Sequence, residues 1–259
     1  MPLSRMFVAS LAAVFSAIAQ PPPGALNIAA AHIHLNSADP DAAIKFWDDV
    51  IGTSSSKIGS YNGVSTLGVK ILFTGTTPSG PSAGSAIDHV AFRVPDLQPV
   101  IDRLSKTPYK SSRAQASPDR LMIDGPDGVR IELIEESSAY TPLEFNHIHL
   151  SSQQPKEMLA WYISNLGARP GPGDNEFAVL IPGANVAISQ VDSAVPSEGR
   201  AIDHISFEVT GLENLCKKLV ESGVKLDSAV HPAPDLSASV AMLSDPWGTR
   251  IELMEKSSR

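Results

Sequence analysis

Six of the seven histidines occur in two matched sets. The first set is His32, His34 and His89, and the second, 115 positions later, is His147, His149 and His204. A glutamate follows each set, Glu132 and Glu252, within the same Arg-Ile-Glu-Leu string. Imidazole and carboxylate groups bind divalent transition metals. The spacing therefore predicts metal-binding residues that occur twice, and the repeat is the frame from which the fold is predicted.

The elements that must position these residues follow the same repeat. The first copy spans residues 31–136 and the second residues 145–256, with residues 137–144 as a linker. Within a copy, an alternating strand such as 32–35 precedes a helix with Asp39 as N-cap and Gly52 at its end. Short alternating segments then follow. The order strand, helix, three strands occurs four times, which predicts an α+β fold made of four βαβββ modules.

The N-terminus has the features of an export signal. Arg5 precedes an apolar run over residues 6–19 that ends in Ala17-Ile18-Ala19, a signal-peptidase type of site. The run is too short to span a bilayer. We therefore expect residues 1–19 to be a signal peptide, residues 20–30 to be a Pro-rich segment, and the mature protein to be periplasmic or extracellular.

Composition limits the possible partners. The chain is 42% hydrophobic and 19% charged with a net charge of −8, which is typical of a globular protein. It has no cluster of Lys and Arg, so we expect neither a nucleic-acid partner nor a membrane partner after signal removal. The single cysteine, Cys216, excludes an intramolecular disulfide and is expected to be buried. The sequence does not determine the oligomeric state.

Several motifs resemble those of the vicinal oxygen chelate superfamily, which includes glyoxalase I, extradiol dioxygenases and bleomycin-resistance proteins. They are Asp-His at a strand start (Asp88-His89, Asp203-His204), aromatic pairs before a Gly-ended helix (Phe46-Trp47, Trp161-Tyr162), and an Asp-Pro-x-Gly-x-x-Ile-Glu-Leu string that ends at Leu253. The resemblance covers nearly all of the chain after residue 30. It implies that the four modules form two tandem half-barrel domains, each with a divalent metal on its floor.

The resemblance also implies which residues bind the metal. In the first copy they are His32, His89 and Glu132, and in the second copy His147, His204 and Glu252. The position at which glyoxalase-type isomerases have a fourth ligand is occupied by Leu72 and Ala187, which cannot bind a metal. Two histidines and one carboxylate leave coordination positions open, as in non-haem Fe(II) oxygenases. Iron, manganese, zinc, copper and nickel all remain compatible with this set.

Three further histidines are candidates for catalysis. His34 and His149 lie two residues after expected ligands and share their strand face, so they could line the site, contact substrate or be the ligands themselves. His231 has no counterpart in the repeat and precedes Glu252 by 21 positions, near where extradiol enzymes have a pocket histidine. The segment 240–243 lacks the tyrosine that those enzymes usually have, and this argues against catechol cleavage.

Three functional hypotheses follow. The first is a metal-dependent enzyme that acts on a small oxygenated substrate at an extradiol-dioxygenase-like site. The second is a glyoxalase-like lyase or isomerase, in which water or Gln190 would complete the metal shell. The third is a non-catalytic protein that binds a small molecule. If only one copy were active, His231 would favour the second.

Overall fold

The computed structural model describes residues 28–113, 115–171, 178–181 and 184–257. The predicted signal peptide and residues 20–27 of the Pro-rich segment lie outside this part. The first strand begins at Ile28, inside the segment expected to be Pro-rich, and the ninth begins at Glu144, inside the expected linker.

The described residues form sixteen strands and four α-helices in chain order. In the first copy they are β1 (Ile28–Asn36), α1 (Pro40–Phe46), β2 (Ser54–Ile58), β3 (Tyr61–Thr66), β4 (Val69–Thr74), β5 (Ile87–Val94), α2 (Gln98–Leu104), β6 (Lys110–Ser112), β7 (Arg120–Asp124) and β8 (Arg130–Glu135). In the second they are β9 (Glu144–Ser152), α3 (Pro155–Leu166), β10 (Arg169–Pro170), β11 (Ala178–Ile181), β12 (Ala184–Gln190), β13 (Ile202–Val209), α4 (Leu212–Glu221), β14 (Leu226–Ala233), β15 (Ala238–Ser244) and β16 (Arg250–Lys256). The four predicted βαβββ modules are therefore confirmed.

Local sequence explains the first helix. The Asp39 carboxylate accepts a hydrogen bond from the Ala42 backbone N–H at 3.1 Å, which caps α1. One π-helical turn, Trp47–Ile51, extends the helix and buries Trp47 completely. Gly52 ends it at φ +100°, a conformation that favours glycine.

The strands form two eight-stranded mixed sheets. Sheet A has the order β14-β15-β16-β13-β1-β4-β3-β2, and sheet B the order β10-β11-β12-β9-β5-β8-β7-β6. Each sheet therefore combines one module of the first copy with one module of the second. The α+β class and the tandem half-barrel architecture predicted from the sequence are confirmed.

The pairing between the two copies is antiparallel at the centre of each sheet. In sheet A, β1 pairs with β13, so that His34 is opposite His204. In sheet B, β5 pairs with β9, so that His89 is opposite His149. Side chains opposite each other across two strands lie on the same face. The pairing thus brings together histidines that are far apart in the chain.

One continuous hydrophobic core includes residues of both copies. Among its fully buried large side chains are Trp47, Phe92, Tyr162 and Phe207. Cys216 on α4 is buried in the same core, as expected. Within the described ranges, no helix has the length and apolarity needed to cross a membrane.

A tight contact joins the two outer parts of sheet A. The turn between β2 and β3 packs on the 3₁₀ turn Pro234–Leu236, and the Ser60 N–H donates to the Asp235 carbonyl at 3.0 Å. Gly59 has φ +60°, and a Cβ there would lie 1.4 Å from the same carbonyl oxygen. Only glycine fits this contact without a shift of the backbone.

Candidate metal centres

The strand pairing places the repeated residues in two groups of four. Centre A lies in sheet A and consists of His32, His34, His204 and Glu252. Centre B lies in sheet B and consists of His89, His147, His149 and Glu132. In each centre the three histidines offer ring nitrogens that all lie within 4.8 Å of one another.

The ligand sets expected for each copy are wrong in their grouping. His32 contacts Glu252, and His147 contacts Glu132, so each centre takes residues from both copies. The physical reason is that β1 pairs with β13 and β5 pairs with β9. A choice of one active copy therefore does not arise, because neither copy holds a complete centre.

The donor atoms of both centres lie close together. In centre A, His32 Nε2 is 3.5 Å from Glu252 Oε1. In centre B, Glu132 Oε2 is 3.5 Å from His89 Nε2 and 3.6 Å from His147 Nε2. Two ligands bound at about 2.1 Å to one ion lie roughly 3–3.5 Å apart, so these separations suit a shared metal.

Several of these buried atoms have no hydrogen-bond partner. They are His32 Nε2, His204 Nε2, His89 Nε2 and Glu132 Oε2. A buried polar atom without a partner is costly, and in a native protein it is usually explained by a function or a bound species. The donor types and their orientation thus fit a divalent transition metal.

Three histidines are held in place by the residue that precedes them. His89 Nδ1 donates to Asp88 at 2.8 Å and His204 Nδ1 donates to Asp203 at 2.6 Å. His147 Nδ1 donates in the same way to the side-chain oxygen of Asn146 at 2.7 Å. With Nδ1 protonated, the lone pair is on Nε2, the atom that faces the centre. This arrangement is typical of metal-bound histidines.

An arginine supports each Asp-His pair. Arg130 lies 3.3 Å from the Asp88 carboxylate, and Arg250 lies 2.9 Å from that of Asp203. Burial raises the pKa of Asp88, but the hydrogen bond from His89 and the charge of Arg130 lower it to about 2. Both arginines belong to the repeated Arg-Ile-Glu-Leu strings.

His34 and His149 are fixed differently. His149 Nε2 and the Ser189 hydroxyl form a hydrogen bond of 2.7 Å, and His34 Nε2 and the Thr74 hydroxyl form the equivalent one. Each ring also stacks on the histidine opposite, with centroids 4.6 Å apart for His34 on His204. Burial and the neighbouring histidine lower the pKa of His34 to about 3 and that of His149 to about 4. Both are neutral at pH 7.

Two of the expected ligands, His32 and His147, are also kept from a positive charge, whereas His89 is shifted the other way. Burial and then nearby histidines lower the pKa of His32, and likewise lower that of His147 to about 3. Burial lowers the pKa of His89 too, but its hydrogen bond to Asp88 and the nearby carboxylate of Glu132 raise it more. A neutral imidazole is the form that binds a metal.

At the position where glyoxalase-type isomerases have a fourth ligand, the structure has the two apolar residues expected from the sequence. Leu72 pairs with His34 and is fully buried, and Ala187 pairs with His149 and is 9% exposed. Neither side chain can donate to a metal. Gln190, considered as a substitute, is an exposed residue at the end of β12.

The structure does not bring His231 to either centre. It lies exposed on the edge strand β14, and its described hydrogen bond is with the Ala229 carbonyl. No described contact joins it to His32, His204 or Glu252. Its catalytic role stays a prediction that these contacts do not support.

Sequence analysis missed some residues around the centres. Thr74 and Ser189 have the same offset as the histidines and could have been found by comparing the copies. Tyr61, half-buried, places its ring edge-on to His34 with centroids 5.7 Å apart. Ser206 and Arg120, which contact the two glutamates, have no counterpart of the same type, so the repeat gave no signal for them.

The second copy matches a known protein family. Residues 144–253 match the profile of the Glyoxalase/Bleomycin resistance protein/Dioxygenase superfamily. This segment is a domain of that superfamily. No curated protein sequence matches the chain. The first copy has the same modules, so the βαβββ arrangement continues through the whole described chain.

Two solved structures show the same architecture over nearly their whole length. Glyoxalase I from Zea mays has a TM-score of 0.69 at 15% identity, with 89% of this chain and 93% of that chain covered. A putative dioxygenase from Bacillus subtilis subsp. subtilis str. 168 has a TM-score of 0.62 at 16% identity, with 89% and 86% covered. At these identities the likeness concerns the superfamily fold and not the reaction.

Proposed function

We propose that the protein is a metal-dependent enzyme that acts on a small oxygenated substrate at two centres. The ligands of centre A are His32, His204 and Glu252. In centre B the ligands are His89, His147 and Glu132. The observation that carries the proposal is the convergence of buried donor atoms without hydrogen-bond partners in each centre.

A two-histidine, one-carboxylate set favours the extradiol-dioxygenase-like alternative over the glyoxalase-like one. The apolar Leu72 and Ala187 leave positions free on the side where a fourth protein ligand would stand. A bound divalent metal would polarise a substrate oxygen and make a hydroxyl proton easier to remove.

The remaining residues have roles that do not depend on which metal is present. His34 is neutral and hydrogen-bonded at Nε2, so it can accept or donate a proton at Nδ1. His149 is neutral and hydrogen-bonded at Nε2 as well, and its Nδ1 lies 3.3 Å from His147 Nε2, so it contacts a proposed ligand directly. The hydroxyls of Thr74 and Ser189 fix the ring orientation. Both centres are buried, which limits access of bulk water to the reacting groups.

The test combines metal analysis with an oxygen measurement. Protein purified without chelators or a His-tag is analysed for elements, and the metal-loaded protein is assayed with vicinal diols and hydroxyketones in an oxygen electrode. We expect up to two equivalents of a transition metal and substrate-dependent oxygen uptake. Product without oxygen uptake would indicate the lyase or isomerase. Retention of stoichiometric metal after alanine substitution of His89, Glu132, His204 and Glu252 would refute both.

We also propose that the enzyme acts outside the cytoplasm, on the basis of the apolar run 6–19 and Ala17-Ile18-Ala19. Mass spectrometry of protein from the host's cell envelope or medium tests this. A mature chain that begins at Gln20 is expected, and an intact N-terminus on a cytoplasmic protein would contradict export.

A further inference from the structure

The two centres differ at the carboxylate. In centre A the Ser206 hydroxyl donates to Glu252 Oε1 at 2.7 Å. In centre B the Arg120 guanidinium donates to Glu132 Oε1 at 2.8 Å, and the Glu132 side chain is 7% exposed. One carboxylate is thus supported by a neutral donor and the other by a full positive charge.

The strand registers show that this difference is a substitution at matched positions. Arg120 pairs with the residue two after Glu132, and Val240 pairs with the residue two after Glu252. Val240 therefore occupies in sheet A the position of Arg120 in sheet B. It is 4% exposed and packs in a small apolar cluster with Ala238 and Met254. Conversely, Ala91 occupies the position of Ser206.

The other cations near the centres do not compensate for this difference. Arg130 and Arg250 contact Asp88 and Asp203 in the same way in the two sheets. The charge of Lys70 in sheet A is the smallest of the causes that lower the pKa of His32, but Lys70 is exposed on β4 and has no described hydrogen bond or ion pair with Glu252. The field of an exposed charge is screened by water and salt, whereas that of Arg120 acts through direct contact with the ligand.

We propose that the two centres have different metal affinities, with centre A the tighter, because Arg120 weakens centre B. This inference rests on the proposed function. A guanidinium stays protonated at any accessible pH. It withdraws charge from Glu132 and repels a divalent cation bound to Oε2. Ser206 orients Glu252 without adding a charge, so centre A keeps the full attraction of its carboxylate for the metal.

The experiment is a calorimetric titration of the metal-free full chain with Zn²⁺ alone. We expect two classes of site, one equivalent each, whose dissociation constants differ by about tenfold or more, within the range that groups around metal ligands produce. Alanine at His204 should remove the tight class, and alanine at His89 should remove the weak one.

Two substitutions at Arg120 separate charge from orientation. Arg120→Gln keeps an N–H donor and removes the charge, so the weak class should tighten by roughly tenfold. Arg120→Lys keeps the charge and should leave the two classes apart. The side chain is 47% exposed, so both variants are expected to fold, and circular dichroism checks this.

The outcomes distinguish this inference from the proposed function. Two equal sites in the wild type, or an Arg120→Gln variant with unchanged or weaker binding in centre B, would overturn the inference while metal binding stands. No zinc binding in the wild type would overturn the proposed function, and the inference with it.

Discussion

At the residue scale, the neutral histidines set the response of the metal-free protein to acid. His32, His34, His147 and His149 have lowered pKa values, mainly because they are buried. In the unfolded chain they take up protons near pH 6.5, but in the folded protein only at much lower pH. The unfolded state thus binds more protons between these limits, and the free energy of unfolding rises with pH there.

We therefore predict that the metal-free protein loses stability as pH falls from about 6.5 towards 4, by up to about 1.4 kcal/mol per pH unit for each such histidine. The raised pKa of His89 opposes this, since its contribution is present below pH 6.5 and is lost as pH rises through its folded pKa. Urea denaturation at pH 7 and pH 5 measures the difference.

Two single substitutions test which histidines cause this pH dependence of stability. His149→Gln should reduce the pH dependence, whereas His231→Gln, at an exposed histidine, should not. Equal stability of the metal-free protein at the two pH values would show that the buried histidines are not neutral in the folded state.

A second prediction concerns the groups behind the ligands. Asp203→Asn replaces the carboxylate that accepts a hydrogen bond from His204 Nδ1–H. The His204 ring is then less firmly oriented, and its Nε2 lone pair is directed less well at the metal. We expect metal affinity in centre A to fall by roughly 10- to 100-fold. Chelator competition measures this, and Asp192→Asn, at an exposed carboxylate, is the control. An affinity equal to that of the control would mean that Asp203 only supports the fold.

At the element scale, the sequence predicted the modules but not their pairing. The alternation around His32 and the cap at Asp39 are local signals, and the elements formed where these signals placed them. Which strand β1 pairs with is a tertiary property, because β5 and β13 have nearly the same sequence. The ligand types could therefore be predicted from the repeat, but the grouping of His32 with Glu252 could not.

The contact between Gly59 and Asp235 gives a prediction for a single turn. Gly59→Ala would put a Cβ 1.4 Å from a carbonyl oxygen and force alanine to φ +60°. We expect a loss of about 1–3 kcal/mol in the free energy of unfolding, measured by denaturant titration. Gly223→Ala is the matched control, since φ there is +91° with no atom within 4 Å. Equal losses in the two variants would show that the Asp235 contact contributes nothing.

At the scale of the whole molecule, metal binding and stability are coupled. A ligand that binds only the folded state adds about 2.7 kcal/mol per site at 100 times its dissociation constant. We predict that Zn²⁺ raises the melting temperature by several degrees and that a chelator reverses the rise. Mg²⁺, which prefers oxygen ligands, should have little effect. A melting temperature unchanged by Zn²⁺ would contradict a site in the folded protein.

The interleaving of the two copies also means that an ion bound in either centre is a cross-link. His32 and Glu252 stand near opposite ends of the described chain, and Glu132 and His147 flank the linker. Separating the two copies would strip ligands from the ion, so its binding energy opposes their separation, and this chain, with a single cysteine, has no disulfide that could do the same. If a protease cut the chain between β8 and β9, the two fragments would thus stay associated while the metals remain bound.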